Sequence, residues 1–249
     1  MSNGNSHRRY IRQMTLSEID SQGQERIENA HVTVVGAGGL GCAALSYLVA
    51  AGVGKVSVWD PDVVSESNLP RQLLYRFDDL GQNKVDVARQ RLLEINPHSR
   101  IEAHPCCFDF SSQSGDCDLL LDCSDNFATR FALNQWCYQQ SVRLVGAAAT
   151  ELSGQLWLCH LNSNQVPQGC YQCLFGDGKL AQDDCLSQGI LGPVVGILGC
   201  IQASQALLLF SGNHLCHQFI QIRVSDLHWQ KMQINPNPDC QVCGCSVLR

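Results

Sequence analysis

A glycine turn, a few carboxylates and cations, and two cysteine pairs are the residues of this 249-residue chain whose types and spacing could do chemistry. The turn, Gly36-Ala37-Gly38-Gly39-Leu40-Gly41, follows the apolar run His31–Val35 and runs into an alanine-rich stretch. Its glycines, Gly36, Gly38, Gly39 and Gly41, let backbone N–H groups approach a phosphate, and a helix N-terminus there favours the negative charge. Nineteen residues past Gly41 a second apolar run ends in Asp60, an offset from which a carboxylate accepts from ribose hydroxyls. The polar stretch after it, Ser67-Asn68-Leu69-Pro70-Arg71-Gln72, puts Arg71 where it could swing over the same nucleotide and clamp its phosphates. Taken alone, Arg71 and Lys84 are ordinary surface cations; beside the turn and Asp60 they become phosphate ligands.

The run Leu119-Leu120-Leu121-Asp122 reads as a buried strand that ends in carboxylates and continues into Cys123-Ser124-Asp125-Asn126. Ligands of open α/β sheets lie beyond the carboxyl ends of the strands, so Asp125 is placed to hold magnesium on a triphosphate. Its bland alternative is the N-cap of the following helix, a role that Asp122 or Asn126 could take instead. The cysteine pairs, Cys170/Cys173 and Cys240/Cys243, lie 67 residues apart. Four thiolates fill the tetrahedral shell of a structural zinc, which would staple the C-terminus to the body. A thioredoxin-like dithiol is the weaker reading, because neither pair is expected to open a helix after a strand. Cys245 is a spare thiol nearby. Cys106, Cys107, Cys117, Cys137, Cys159, Cys200 and Cys216 read as small buried hydrophobes.

These groups need elements to position them. Periodicity and punctuation predict a helix over Gln22–Ala30, a strand over Val32–Gly36, a helix over Gly39–Ala51 and a strand over Lys55–Asp60. A polar loop, Pro61–Leu74, leads to a helix over Gly81–Ile95, stopped by Asn96-Pro97. Strands over Arg100–Cys106 and Asp118–Asp122, a helix over Asn126–Gln139 and a strand over Val142–Ala147 follow. That alternation predicts an α/β fold, a Rossmann-like, doubly wound and mostly parallel sheet. Ser153–Leu161 and Phe219–Gln233 read as longer strands that extend it in antiparallel fashion around an apolar helix near residues 190–210. No linker or repeat interrupts the sequence, so one domain over 1–249 is expected, with a nucleotide-binding half over about 9–150 and a zinc half over about 151–249.

Composition narrows the class. A net charge of −6 disfavours a protein that coats nucleic acid or an anionic membrane. The N-terminal residues lack the apolar core of a secretory signal, and a cytoplasmic location is expected. Ile190–Phe210 is apolar enough to raise a membrane span, but Pro193, Gln202, Ser204 and Gln205 favour a buried core helix.

Together these residues resemble the ThiF/MoeB/HesA family, bacterial relatives of the ubiquitin-activating enzymes. The resemblance covers roughly residues 9–244. It rests on Arg9-Tyr10-Ile11-Arg12-Gln13, the glycine turn with Cys42-Ala43-Ala44, Ala51–Gly54, Asp60, Ser67–Gln72, Lys84, Asp122–Asn126, both cysteine pairs and Gly192–Gly196. It implies an adenylyltransferase that takes Mg²⁺·ATP and a small ubiquitin-like sulfur carrier protein ending in Gly-Gly, bound by the half after residue 150. The carrier's carboxylate would become an acyl-adenylate for sulfur transfer in thiamin biosynthesis, slightly favoured, or in molybdopterin biosynthesis. The sulfur donor would be a protein such as a cysteine desulfurase. Carried over by residue, Gly39 and its neighbours contact the nucleotide, Asp60 holds the ribose, Asn68, Arg71 and Lys84 bind the phosphates, Asp125 holds magnesium, and Ser67 and Asn126 belong to the same cofactor-binding set. Arg12 would reach the γ-phosphate in the other subunit of a homodimer, and Cys185 falls where relatives often carry a functional cysteine. Two departures stand out: Pro70 replaces a common glutamine, and Ser204–Leu208 lacks the Glu and Lys of relatives. The competing functions are a non-catalytic nucleotide-binding or carrier-docking protein, and an NAD-dependent oxidoreductase, which the turn and Asp60 alone would fit.

Overall fold

The valines at 32, 34, 56 and 58 and the leucines at 119 and 121 have no exposed surface. Runs of this kind form strands covered on both faces, as in parallel sheets. A computed structural model describes residues 6–111, 115–159, 169–176, 189–213 and 218–244. Its elements are α1 (Ser6–Met14), α2 (Asp20–Asn29), β1 (His31–Val35), α3 (Gly39–Ala50), β2 (Lys55–Trp59), α4 (Lys84–Ile95), β3 (Arg100–His104) and β4 (Leu119–Asp122). They continue with α5 (Phe127–Gln140), β5 (Arg143–Thr150), β6 (Ser153–Cys159), α6 (Tyr171–Phe175), α7 (Gly192–Phe210), β7 (Gln218–Arg223) and β8 (His228–Met232).

The eight strands form one sheet in the order β3-β2-β1-β4-β5-β6-β7-β8. The first five are parallel, and β5 through β8 are antiparallel, as the sequence leads one to expect. Strand order reverses between β1 and β4, which makes their carboxyl ends the crevice of a doubly wound sheet. One face packs against α3, α4 and α7 through Leu45, Leu48, Val85, Leu92, Leu198 and Ala206. The other face carries an aromatic cluster, Trp59, Phe108, Trp136, Trp157, Tyr171 and Phe219, beneath α5 and α6. Among the described residues α7 is the one helix long and apolar enough to cross a membrane, yet half of its most apolar stretch is buried in the protein. It is the core helix that the polar residues within it suggest.

Four sequence expectations change. Phe219–Gln233 is not one strand but the hairpin of β7 and β8, turning at Val224–Leu227, where Arg223 pairs with Asp226 at 2.7 Å and Leu227 takes a φ of 55°. Helices α1 and α6 are additional elements. Cys170 stands at the N-cap of α6, so this pair does open a short helix. Cys106 and Cys107 are exposed and Cys117 and Cys200 half-buried, while Cys137 and Cys159 are buried.

Candidate active site

The glycine turn joins β1 to α3 at the crevice. Gly36 has a φ of +100°, and a Cβ there would sit 2.5 Å from the Cys123 carbonyl oxygen, so both its conformation and its neighbour demand glycine. A Cβ on Gly39 would meet Val195 of α7 at 2.5 Å. The backbone of Ala37 between them is held at both its N–H and its carbonyl. Its N–H donates to Asp60 Oδ2 at 2.7 Å, and its carbonyl accepts from the Tyr75 hydroxyl at 2.7 Å.

Asp60, just past β2, is buried, and its Oδ1 accepts from the Asp62 N–H at 2.8 Å. Burial pushes its carboxyl above the usual range, while the Ala37 N–H and the charge of Lys84 pull it back. Lys84 is the first residue of α4 and only 4% exposed; its ammonium reaches Asp62 Oδ2 at 2.8 Å. Its stem is buried while its charge is directed at an exposed carboxylate, a geometry that suits a long cationic side chain. Arg71 Nη1 donates to the Ser67 carbonyl at 2.9 Å. The Asn68 carbonyl accepts the N–H groups of Arg71 and Gln72 at 3.0 and 3.1 Å, so this turn closes without an N–H from residue 70 and tolerates Pro70. Gln72 is only 4% exposed, lies next to Gly38, and its Oε1 has no partner.

The two carboxylates past β4 are sorted by burial. Asp122 has no exposed surface; its Oδ1 accepts from the N–H and hydroxyl of Ser124 at 3.0 and 2.6 Å. Burial pushes its carboxyl up to about 6 despite the opposing charge of Arg130 and those two bonds. Asp125 is exposed. The helix cap is Asn126, whose side chain accepts from the Thr129 N–H at 2.9 Å, which leaves the Asp125 carboxylate at the mouth of the crevice. Beyond α5, the face of β5–β8 holds a cavity of about 330 Å³ lined by residues that include Phe127, Arg130, Ala148, Gly154, Gln155 and His228.

The four cysteines converge. Their sulfurs all lie within 4.8 Å of one another, with Cys170–Cys240 at 3.7 Å, Cys173–Cys243 at 3.2 Å and Cys170–Cys173 at 4.0 Å. Four sulfurs about 2.3 Å from one tetrahedral zinc stand about 3.8 Å apart, so this donor set fits zinc. The Cys170–Cys243 hydrogen bond lowers the pKa of the Cys170 thiol and raises that of Cys243.

The ThiF family model matches residues 10–242. The chain belongs to the ThiF family. It is 38% identical to the molybdopterin-synthase adenylyltransferase of Salmonella typhimurium, over 95% of this chain and 96% of that one. It is 35% identical to the sulfur carrier protein ThiS adenylyltransferase of Escherichia coli, over 96% of this chain and 95% of that one. It is 39% identical to a sulfur carrier protein adenylyltransferase of Thermus thermophilus, over 95% of this chain and 90% of that one. The solved structure of E. coli MccB with MccA-N7isoASN superposes with a TM-score of 0.81 over 97% of this chain and 76% of that one; at 20% identity it shows the fold alone.

In this ThiF-family chain the structure brings Gly36–Gly41, Asp60, Lys84 and the 122–126 loop to one end of the sheet. Arg12 is elsewhere. Helix α1 is moored to the far end of α3, where Gln13 Nε2 donates to the Ala51 carbonyl at 2.9 Å and the Tyr10 ring covers Gly52. The twelve residues of α3 separate that end from the glycine turn by about 18 Å. Cys185 lies outside the described residues. Sequence reasoning did not single out Asp62 or Tyr75, whose partners Lys84 and Ala37 lie 22 and 38 residues away in the chain; Gln72 was visible only as part of its loop.

Proposed function

We propose that this protein, an adenylyltransferase by family, activates the C-terminal Gly-Gly carboxylate of a small ubiquitin-like sulfur carrier protein. One observation carries the reading: the loop that presents Asp125 abuts the glycine turn on one side, through the Cys123 carbonyl, and borders the 330 Å³ cavity on the other, through Phe127 and Arg130. A nucleotide on the turn and a peptide tail in the cavity would therefore meet at Asp125. The small side chain of Ala148, on the α5 side of the sheet, leaves room for an extended glycine tail.

In the reaction, an oxygen of the terminal carboxylate forms a bond to the α-phosphorus and the bond to the departing pyrophosphate breaks. The protein's task is positioning and charge neutralisation. The glycine turn would seat the phosphates, Asp60 the ribose, and Ser67, Asn68, Arg71 and Lys84 the triphosphate charge. Magnesium, held by Asp125 beside Asn126, would neutralise the phosphates further. Zinc on Cys170, Cys173, Cys240 and Cys243 would tie the C-terminal segment to α6. The remoteness of Arg12 from its own glycine turn supports a homodimer in which it serves the neighbouring site.

The identities to molybdopterin and thiamin relatives differ by a few per cent. ATP–pyrophosphate exchange, run with a thiamin-type and a molybdopterin-type carrier in parallel, assigns the pathway. Exchange that needs one intact Gly-Gly terminus and disappears in Asp125→Ala establishes the activity; ATP binding without exchange on either carrier supports a docking role instead.

A further inference from the structure

We infer that Arg130 is a positioning residue for Asp125, a role that rests on the proposed adenylyl transfer. Arg130 is only 4% exposed although it carries a charge, and a charge taken out of water persists only where the surroundings hold it. Three neighbours do so. Its Nη2 donates to the Ser124 carbonyl at 3.1 Å, its guanidinium lies 5.2 Å from the centre of the Phe127 ring, and its charge opposes the burial that raises the Asp122 carboxyl. The bond to Ser124 is the informative one. That carbonyl belongs to the peptide linking Ser124 to Asp125, so Arg130 grips the peptide from which the Asp125 side chain springs.

The rest of the loop is fastened to match. The Cys123 N–H donates to the Val35 carbonyl at 2.8 Å, Asp122 holds the N–H and hydroxyl of Ser124, and Asn126 caps α5. Residues 122, 123, 124 and 126 are thus tied to the fold, while Asp125 is exposed and its Oδ1 accepts from Asn126 Nδ2 at 3.4 Å. Helix α5, which Arg130 joins to this loop, also docks a second structure. One turn further along α5, the Asn134 side chain accepts the Tyr171 N–H at 3.0 Å, which docks α6 and its cysteine pair on the same helix face. The Nε of Arg130 and Oδ2 of Asp122 are both buried without a direct partner, so the guanidinium is held through Ser124 rather than by a direct ion pair that could replace it.

The test compares Arg130→Gln, Arg130→Lys and wild type in pyrophosphate exchange, together with amide hydrogen exchange across the chain. Glutamine should lower kcat about 30-fold and raise the magnesium requirement, with the KM for ATP within about threefold of wild type. Lysine, which keeps the charge and a donor, should recover about tenfold of that loss. Amides at 123–126 should exchange faster in the glutamine variant while those of β1 and α3 stay as in wild type. Unchanged kcat and protection overturn the inference. So does a loss confined to carrier KM, which makes Arg130 a cavity contact, or a loss of protection throughout, which makes it a core residue. If wild type supports no exchange with either carrier the adenylyl-transfer reading falls, and local protection at 123–126 still decides whether Arg130 fixes this loop.

Discussion

The ammonium of Lys84 stands 2.8 Å from the carboxylate of Asp62, and the N–H of Asp62 donates to Asp60, so one short loop links the ribose and phosphate candidates. A nucleotide phosphate that takes Lys84 must displace Asp62. Asp62→Asn should therefore bind ATP about threefold more tightly, as expected for loss of a competing partly exposed ion pair, by calorimetric titration. Weaker binding would mean instead that Asp62 orients Lys84 for the nucleotide.

Tyr75 should matter through a single bond. Tyr75→Phe keeps the ring and removes the donor to the Ala37 carbonyl, a bond of about 1 kcal/mol. The ATP KM should rise about fivefold with kcat nearly unchanged. An equal fall in kcat would place the turn's distortion in the transition state instead.

Asp122 gives a pH dependence of stability with an unusual sign. Folding raises its carboxyl from 3.8 to about 6, so between those pH values the native state holds a proton that the unfolded chain releases. Its contribution therefore improves as pH falls through that window, and above it the ionised group costs on the order of 3 kcal/mol. Asp122→Asn should raise the urea midpoint at pH 7.5 and lose its advantage near pH 4. A midpoint lowered at pH 7.5 would show that Arg130 needs the charge more than burial penalises it.

The cysteine cluster predicts one zinc per chain. Elemental analysis of the purified protein should give that ratio, and Cys240→Ser should lose the metal and lower the melting temperature. Retained zinc in that variant would point to a replacement ligand such as Cys245.

The parallel strands were legible to within about three residues because Val-rich runs bounded by Gly and Asp leave few alternatives. The cysteine pairs were legible because their spacing itself encodes a shared ion. The β7–β8 hairpin was not, since its turn, Val224-Ser225-Asp226-Leu227, has no glycine or proline and assigns its positive φ to a leucine. Helix α6 is five residues long, too short to show a period. The grip of Tyr75 on Ala37 and the pairing of Lys84 with Asp62 leave no local trace, because neither depends on spacing along one element. Asp125 could be read as metal ligand or cap from sequence; the structure gives the cap to Asn126.

Strand β5 belongs at once to the parallel half of the sheet and to the antiparallel half. The glycine turn leaves from β1 and the cavity floor begins at β5, two strand spacings or about 10 Å away, and runs on to β8. Because a continuous ladder of backbone bonds spans that interval, neither end can drift relative to the other. In the proposed reaction the sheet would thereby serve as a ruler. A carrier tail shortened by one residue would stop about 3.4 Å short of its mark, and one lengthened by a residue would overshoot by as much. The chain would thus select partners by the length of their last few residues as well as by the surface they present.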